Sequence, residues 1–255
     1  MKDCEKKYNM LKVRDVSDTY YTKVPDLFDL PMKLLVTSKS QYGCGKTTIV
    51  ANLLANDKFP YHKLFDGDDI YIISNNELDN KLDMLAKRLR IPDENRMEYD
   101  EDMLDALYDQ LEDEFTEAVD EGEKPTNKLI VFDDCGYSGD LKNKNFGIVS
   151  KIISNGRHAL ISSIFNVQKY TQASSTLRTN ASAMIIGGVS SKELDLIAED
   201  VNMFPNKKDF VKLFRANTKN SRDFFVVNFT GDNGLYYNKN FQPIGLNVDK
   251  EKKKN

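Results

Sequence analysis

The feature that most constrains this chain is the segment at residues 40–48, Ser-Gln-Tyr-Gly-Cys-Gly-Lys-Thr-Thr, which follows the apolar residues 34–36. A strand-like run, a glycine-containing turn and a helix-like run at 49–54 come in that order. Successive backbone N–H groups in such a turn, together with the N-terminus of the next helix, point at one anion. The segment therefore predicts a phosphate-binding loop, the P-loop, between a buried strand and a helix.

The side chains of this loop have separate predicted roles. Lys46 is expected to reach the β- and γ-phosphates of ATP, and the Thr47 hydroxyl is expected to ligate Mg²⁺. The usual pattern has a glycine six residues before the lysine, where this chain has Ser40. The residues expected to surround the nucleotide are Gln41, Tyr42, Gly43, Cys44, Gly45, Lys46, Thr47 and Thr48.

A second motif lies well downstream, where the four apolar residues 129–132 are followed by Asp133 and Asp134. A carboxylate at the end of a buried strand beside the P-loop strand can orient Mg²⁺ through water, which is the Walker B role predicted for Asp133. Asp134 is placed to polarise a water for in-line attack on the γ-phosphate. Because glutamate is common at this second place and aspartate is one methylene shorter, the water must sit closer or the strand end must shift.

Polar residues around the fourth predicted strand complete the candidate site. Gln168, at the end of that strand, is predicted to contact both the γ-phosphate and the attacking water, with Asn166 as the alternative. The charge that develops on the transferred phosphoryl group also calls for an arginine, often from a neighbouring subunit. Arg157 is the first candidate for that arginine, and Arg178 is the second.

The rest of the chain predicts alternating strands and helices, which favours a parallel α/β sheet with its ligand at the carboxyl ends of the strands. The predicted strands are 33–37, 69–74, 128–133, 159–165 and 183–186, followed by a terminal hairpin of 224–229 and 235–237. The predicted helices are 46–55, 81–90, an acidic helix within 93–123, 146–154, 192–202 and 207–217. The predicted organisation is an N-terminal arm at 1–32, an ATPase domain at 33–240 with an acidic helical insertion at about 93–123, and a lysine-rich tail at 241–255.

Charge is unevenly distributed along the chain. The net charge is −4, but residues 93–123 hold fifteen acidic residues and one basic residue, Arg96, and so carry −14. The rest of the chain therefore carries +10, which is compatible with a polyanion partner such as DNA and also with a solvated lysine-rich surface. Apolar residues at helical spacing make the acidic segment an amphipathic helix, whose outer face is either a partner site or a solvated face.

Three cysteines, Cys4, Cys44 and Cys135, match no metal-site spacing and favour a reducing compartment. Cys44 and Cys135 flank the candidate site in sequence, so they are either redox sensors of nucleotide binding or small residues in tight places. No apolar run is long enough to cross a bilayer, and residues 1–7 do not resemble a signal peptide.

Taken together, these motifs resemble the FtsK–HerA superfamily of P-loop ATPases, and within it the viral genome-packaging ATPases of the poxvirus and virophage type. The segments that carry the resemblance are 39–48, 131–134, 156–168 and 177–180. The third, in which Gly-Arg-His leads into Asn-Val-Gln, is the most specific, because the phosphate loop and the Walker B strand occur in many families. The resemblance covers residues 30–190, and the chain departs from the family pattern at Ser40 and Asp134.

The resemblance implies an α/β fold of the ASCE, RecA-like P-loop NTPase type, with five strands in the order 5-1-4-3-2 in a mostly parallel sheet flanked by helices. It also implies an ATPase that uses Mg²⁺ and forms a homo-oligomeric ring, a pentamer or hexamer, that threads double-stranded DNA into a preformed capsid. The expected partners are duplex DNA, other copies of the chain and a capsid or portal vertex. The expected location is the host cytoplasm or viral factory, beside the procapsid, or the virion. The positions that match the family motifs are Lys46, Thr47, Asp133, Asp134, Gln168 and Arg157.

A second function remains open, that of a nucleotide-gated virion assembly or scaffolding protein with little turnover. Such a protein would keep the phosphate loop but hydrolyse ATP slowly, whether or not DNA is present. A small-molecule kinase is disfavoured, because the chain has no arginine cluster suited to a lid over the phosphates. A nuclease function is also disfavoured, because only the lysine- and asparagine-rich residues 187–255 follow the fifth strand.

Overall fold

The computed structural model describes residues 14–39, 45–75, 80–135, 147–231 and 235–245. Within these residues, eight strands form one sheet. They are β1 (Lys33–Thr37), β2 (Ile70–Ser74), β3 (Arg96–Met97), β4 (Lys128–Asp133), β5 (Ile161–Val167), β6 (Ala183–Ile186), β7 (Phe225–Asn228) and β8 (Tyr236–Tyr237). The α-helices of the described residues are α1 (Lys46–Ala55), α2 (Asn80–Leu89), α3 (Glu101–Asp120), α4 (Ile148–Asn155), α5 (Ser175–Asn180), α6 (Ser191–Val201) and α7 (Lys207–Asn217).

The sheet has the strand order β3-β2-β4-β5-β1-β6-β7-β8. Its first six strands pair in parallel, whereas β7 pairs antiparallel with both β6 and β8. The five strands of the sequence prediction correspond to β6-β1-β5-β4-β2, so their predicted order is confirmed. The sheet is wider than this core, because β3 extends one edge and the predicted terminal hairpin, β7 with β8, extends the other.

Helices cover both faces of the sheet, as a parallel sheet of apolar strands requires. Alternate residues of β1 point to opposite faces, so Leu35 lies in one core cluster while Leu34 and Val36 lie in the other. The first cluster contains the buried apolar residues of α3, α4, α6 and α7, and the second contains those of α1 and α2. The sheet is therefore the middle layer of a three-layer α/β fold.

The described part of the predicted N-terminal arm packs into the second core cluster. Phe28, Leu30 and Met32 are each at most 1% exposed. The Tyr61 hydroxyl fastens this segment, because it donates to the Phe28 carbonyl and accepts from the Phe28 N–H, both at 2.8 Å. The domain limits at residues 33 and 240 remain predictions.

Two local predictions differ from the structure. Residues Gly156–Ala159 form a 3-10 helix and Leu160 has a left-handed φ of 55°, so the fourth predicted strand begins at Ile161 instead of 159 and ends at Val167 instead of 165. The segment before the fifth predicted strand forms α5, because the Ser174 side chain caps it by accepting from the Leu177 N–H at 3.1 Å.

The acidic segment forms the predicted amphipathic helix, α3. The Asp100 carboxylate caps it by accepting the Met103 N–H at 2.8 Å. Its apolar face, which includes Leu104, Leu107 and Leu111, is buried in the first core cluster. In the described part of the chain, no helix combines the length and the apolar character that a membrane crossing requires.

Candidate nucleotide-binding site

The carboxyl ends of β4, β5 and β1 lie side by side and bring the candidate residues to one edge of the sheet. In the strand register, Asn166 is paired with Asp133 on one side and with Val36 on the other. The chain leaves β1 at Thr37 and enters α1 at Lys46. Ligands of open α/β sheets bind at this kind of edge, outside the carboxyl ends of the strands.

The start of α1 has the backbone of an anion-binding turn. Gly45 has φ 67° and ψ 59°, the left-handed region that favours glycine. A Cβ at this position would also lie 3.2 Å from both Cβ and Oγ1 of Thr48. No side chain of the described residues caps this helix end, so the first N–H groups of α1 are available to an anion.

The loop residues Gln41, Tyr42, Gly43 and Cys44, together with Ser40, lie outside the described residues, so their predicted contacts with ATP remain predictions. Lys46 is described, and its Nζ donates to the carbonyl oxygen of Ser38 at 3.2 Å. Ser38 directly follows β1, so the Lys46 ammonium group lies next to the carboxyl end of that strand. Thr48 follows Thr47 in the first turn of α1.

Thr47 and Asp133 form the candidate Mg²⁺ site. The Thr47 hydroxyl lies 3.4 Å from Oδ1 and 3.5 Å from Oδ2 of Asp133, whose side chain is buried. Asn166 donates its amide N–H to Asp133, and its own buried Oδ1 has no hydrogen-bond partner within the described part of the chain. Mg²⁺ prefers oxygen ligands and usually combines one or two carboxylates with waters and substrate phosphates. The hydroxyl, the carboxylate and the orphaned amide oxygen fit that preference.

The described residues contain no group of three or more His, Cys, Asp or Glu side chains that could enclose a metal ion.

Asp134 and Gln168 form a second pair beside the first. Gln168 Nε2 donates to Asp134 Oδ1 at 2.8 Å and to Oδ2 at 2.9 Å. Asp134 has a left-handed φ of 53°, and its N–H donates to the Asn166 carbonyl at 3.2 Å. The two adjacent aspartates therefore have different partners, since Asp133 contacts Thr47 and Asn166 whereas Asp134 contacts Gln168. Asn166 and Gln168, the two candidates for contact with the γ-phosphate, thus each contact a different carboxylate, and the choice between them for that contact stays a prediction.

Arg157 lies away from this site in its own subunit. It belongs to the 3-10 helix that precedes β5, and it is exposed, with Nε donating to His158 Nε2 at 3.4 Å. The site lies at the other end of β5, about 20 Å along a strand of this length. Arg157 therefore does not reach the candidate site of its own chain, and its catalytic role stays a prediction.

Arg178, the second candidate, is engaged inside the subunit. Its Nη1 donates to Asp200 Oδ2 at 2.7 Å, and its guanidinium lies 5.2 Å from the centroid of the Tyr170 ring. The Tyr170 hydroxyl donates to the same Asp200 oxygen at 2.7 Å. These contacts give Arg178 a structural role between α5 and α6, which leaves Arg157 as the better candidate for action across a subunit boundary.

Cys135 is fully buried directly after the two aspartates, and its S–H donates to the Ile73 carbonyl at 3.3 Å. Burial, reinforced by the charge of Asp133, raises the pKa of this thiol to about 12. Because the thiolate is the reactive form, Cys135 is a packed small residue and is unsuited to redox sensing. Cys4 and Cys44 lie outside the described residues.

The family of Poxvirus A32 proteins matches residues 23–240, which is most of the chain. The chain belongs to this family. The match includes the phosphate loop, both aspartates and the strand that leads to Gln168, so the resemblance to poxvirus-type packaging ATPases is confirmed at the level of the family. No curated protein sequence matches this A32-family chain.

Solved structures similar to this A32-family chain include virus packaging proteins and a conjugation coupling protein. The genome packaging NTPase B204 from Sulfolobus turreted icosahedral virus 2, in complex with AMPPCP, aligns with a TM-score of 0.53 at 14% identity, over 84% of this chain and 98% of that chain. The DNA-packaging ATPase B204 from Sulfolobus Turreted Icosahedral Virus aligns with a TM-score of 0.52 at 16% identity, over 87% and 99%. The pCW3 conjugation coupling protein TcpA, with ATPγS, aligns with a TM-score of 0.54 at 14% identity, over 84% and 61%. These alignments confirm the predicted fold, an α/β P-loop NTPase.

Two buried side chains next to the site were not found by sequence reasoning. Gln172 and Glu193 hold the backbone that follows β5, as described below. The sequence pattern Ser-x-x-Glu, formed by Ser190 and Glu193, could have predicted Glu193 as part of a capping box at the start of α6. No such pattern predicts Gln172, because its role is to accept hydrogen bonds from backbone N–H groups in an irregular segment.

Proposed function

We propose that this chain is an ATP-hydrolysing motor that translocates double-stranded DNA into a viral capsid. The observation that carries the proposal is the pair of neighbouring contacts at the sheet edge, Thr47 with Asp133 and Asp134 with Gln168. The first pair suits metal binding and the second suits the placement of a water, so the site has separate groups for binding and for hydrolysis. The A32 family and the B204 proteins, described as genome packaging NTPases, support packaging as the purpose of that hydrolysis.

Each residue has a role in this proposal. The N–H groups of the loop at 41–45 and the start of α1 bind the phosphates, and Lys46 neutralises the β- and γ-phosphate charge. Mg²⁺ held by Thr47 and Asp133 would neutralise charge that develops on the phosphate oxygens. Asp134 orients the attacking water and accepts its proton, and Gln168 fixes the Asp134 carboxylate and contacts the γ-phosphate.

The proposed assembly is a homo-oligomeric ring, a pentamer or hexamer, in which Arg157 of one subunit reaches the nucleotide of the next. The exposure of Arg157 and its position at the amino end of β5 support an action between subunits. Duplex DNA is the proposed substrate of the motor, and the positive charge outside the acidic segment supports a polyanion partner. A capsid or portal vertex is the proposed docking partner, in the host cytoplasm or viral factory.

Hydrolysis coupled to DNA tests the motor proposal. Phosphate release by the full chain with Mg²⁺ and ATP is measured with and without linear duplex DNA over a range of salt concentrations. We expect duplex DNA to raise turnover several-fold at low salt, because binding to phosphates weakens as salt increases. Displacement of a third strand from a DNA triplex would report movement along the duplex.

Two variants distinguish a loss of turnover caused by the candidate site from a general effect of replacing a lysine. Lys46→Ala should lower turnover by about 100-fold or more, because it removes the cation that contacts the phosphates. Lys58→Ala changes an exposed lysine beyond the end of α1 and should leave turnover unchanged. Turnover that is slow and independent of DNA at every salt concentration would contradict the motor and favour the nucleotide-gated assembly protein.

A further inference from the structure

The segment that carries Gln168 is held by a buried side chain that neither sequence motif includes. Gln172 Oε1 accepts the N–H of Gln168 at 3.0 Å and the N–H of Lys169 at 2.9 Å. Gln172 is buried, and its own N–H donates back to the Lys169 carbonyl at 2.9 Å. Both N–H groups lie beyond the last residue of β5, and a single side-chain oxygen accepts a hydrogen bond from each.

A second buried acceptor holds the next residue of the same segment. Glu193 Oε1 accepts the Tyr170 N–H at 3.2 Å, and its Oε2 accepts from the N–H and hydroxyl of Ser190 at 3.1 and 2.7 Å. Glu193 lies in the first turn of α6, where the helix dipole favours a negative charge. Glu193 is 7% exposed, so these contacts are made largely out of water.

Glu193 also connects this segment to the start of the phosphate loop. Lys39 Nζ lies 3.8 Å from Glu193 Oε2. Lys39 directly precedes the loop, and its N–H donates to the Gly188 carbonyl at 3.0 Å, which fixes the backbone there. One carboxylate therefore contacts both the residue before the phosphate loop and the segment that presents Gln168.

We propose that Gln172 and Glu193 are positioning residues, which hold Gln168 against Asp134 and tie its segment to the phosphate loop. Both act through other groups, since Gln172 contacts backbone N–H groups and Glu193 contacts Tyr170, Ser190 and Lys39. The proposal rests on the proposed hydrolysis of ATP at this site. A displacement of about 1 Å of a group near the reacting atoms can cost 100-fold in rate, so the support of Gln168 should matter for turnover.

The test compares two substitutions of Gln172 in the full chain. Gln172→Met keeps the length of the side chain but removes the acceptor, whereas Gln172→Glu keeps an acceptor oxygen. We expect Gln172→Met to lower kcat by about 10- to 100-fold, with the Kd for AMPPCP changed by less than about threefold. Gln172→Glu should recover most of the lost kcat. Amide hydrogen exchange at residues 168–170 should become faster in Gln172→Met and stay slow in Gln172→Glu.

The matched control is Asn206→Ala, which removes a side chain that caps α7 by accepting the Lys208 N–H at 2.9 Å, far along the chain from the site. It should leave kcat and exchange at 168–170 unchanged. Glu193→Gln provides a second variant if Gln172→Met does not fold, and it should lower kcat without weakening AMPPCP binding.

Folded Gln172→Met and Glu193→Gln proteins with wild-type kcat and wild-type exchange would overturn the inference. An equal loss of kcat in Asn206→Ala would also overturn it, because the effect would then be general destabilisation. Wild-type protein that binds ATP without hydrolysing it would contradict the proposed function, whereas the exchange measurement would still decide whether Gln172 holds the segment.

Discussion

Asp133 and Asp134 are adjacent in sequence but belong to different parts of the site. Asp133 ends β4 with regular strand geometry and is buried against Thr47 and Asn166. Asp134 turns out of the strand with a left-handed backbone and is held by Gln168. The sequence predicted this pair of acids and their separate roles. It placed Gln168 first and Asn166 second for contact with the γ-phosphate, and that choice stays a prediction because each amide contacts a different carboxylate.

Asp134→Asn tests the division of roles between these two residues. Asparagine also enters the left-handed region readily, so the backbone should be preserved while the proton acceptor is lost. We expect turnover to fall by about 100-fold or more and AMPPCP affinity to stay within about threefold of wild type. Phosphate release and calorimetric binding would measure the two effects.

The control for this variant is Glu117→Gln, which neutralises an exposed carboxylate on α3 and should change neither quantity. Loss of AMPPCP affinity in Asp134→Asn equal to its loss of turnover would assign Asp134 to nucleotide binding instead.

Ion pairs attach the acidic helix α3 to the sheet and to the neighbouring helix α4. Lys128, the first residue of β4, lies 2.6 Å from Asp69 Oδ1 and 2.6 Å from Glu114 Oε2 of α3. Burial lowers the pKa of the Lys128 ammonium, but its hydrogen bonds to Asp69 and Glu114 outweigh burial and raise that pKa. Lys151 of α4 adds contacts to Asp105 and Asp109 of the same helix. Part of the charge of α3 is thus balanced by lysines beneath and beside it.

Lys128→Met should destabilise the fold by about 3 kcal/mol, because it leaves the Asp69 carboxylate, which is only 12% exposed, without its cation. Lys207→Met is the control, because Lys207 pairs with Glu199 at an exposed site and should cost less than about 1 kcal/mol. Urea unfolding at neutral pH would measure both values. Equal losses of unfolding free energy in the two variants would contradict a larger contribution from the buried ion pair.

The direction of each pKa shift gives the pH range in which the Lys128 ion pairs stop stabilising the fold. Because its pKa is raised, its stabilisation is complete below the ordinary value of 10.5 and disappears as pH rises through the folded value. The pKa of Glu114 is lowered, since its hydrogen bonds from Lys128 and Gln110 outweigh burial, so its share disappears as pH falls through its folded value.

The elements that the sequence predicted well are those with a strong periodic pattern. The strands Lys33–Thr37, Lys128–Asp133 and Ala183–Ile186 have their predicted limits, because each is an apolar run with clear ends. The two residues of β3 were not predicted, since Arg96 and Met97 become a strand only by pairing with β2. The six residues of α5 were not predicted either, because a short polar helix depends on its cap and on packing of Leu177.

In the molecule as a whole, the two ends of β5 carry different candidate groups of the proposed site. Its carboxyl end contributes Asn166 and leads to Gln168, whereas its amino end follows the exposed Arg157. A ring in which the amino-end surface of one subunit meets the nucleotide site of the next would bring these groups together. Such an arrangement would make hydrolysis depend on assembly.

Mixing of inactive subunits tests this dependence. Arg157→Ala should lower turnover by about 1,000-fold or more if its guanidinium stabilises the transition state in a neighbour's site. Mixed with Lys46→Ala, it should regain activity, because an intact loop from one subunit then meets an intact Arg157 from the other. Arg215→Ala, at an exposed arginine of α7, should leave turnover unchanged. No recovery in rings that contain both variants would contradict an action of Arg157 between subunits.

The left-handed backbone at Asp134 affects how distant members of this group can be recognised. Aspartate and asparagine enter that region more readily than glutamate, so the backbone itself favours aspartate at this position. A search pattern that demands Asp-Glu at the end of the Walker B strand would miss chains built in this way. A pattern that accepts either acid, and requires the amide side chain that contacts it after the neighbouring strand, would include them.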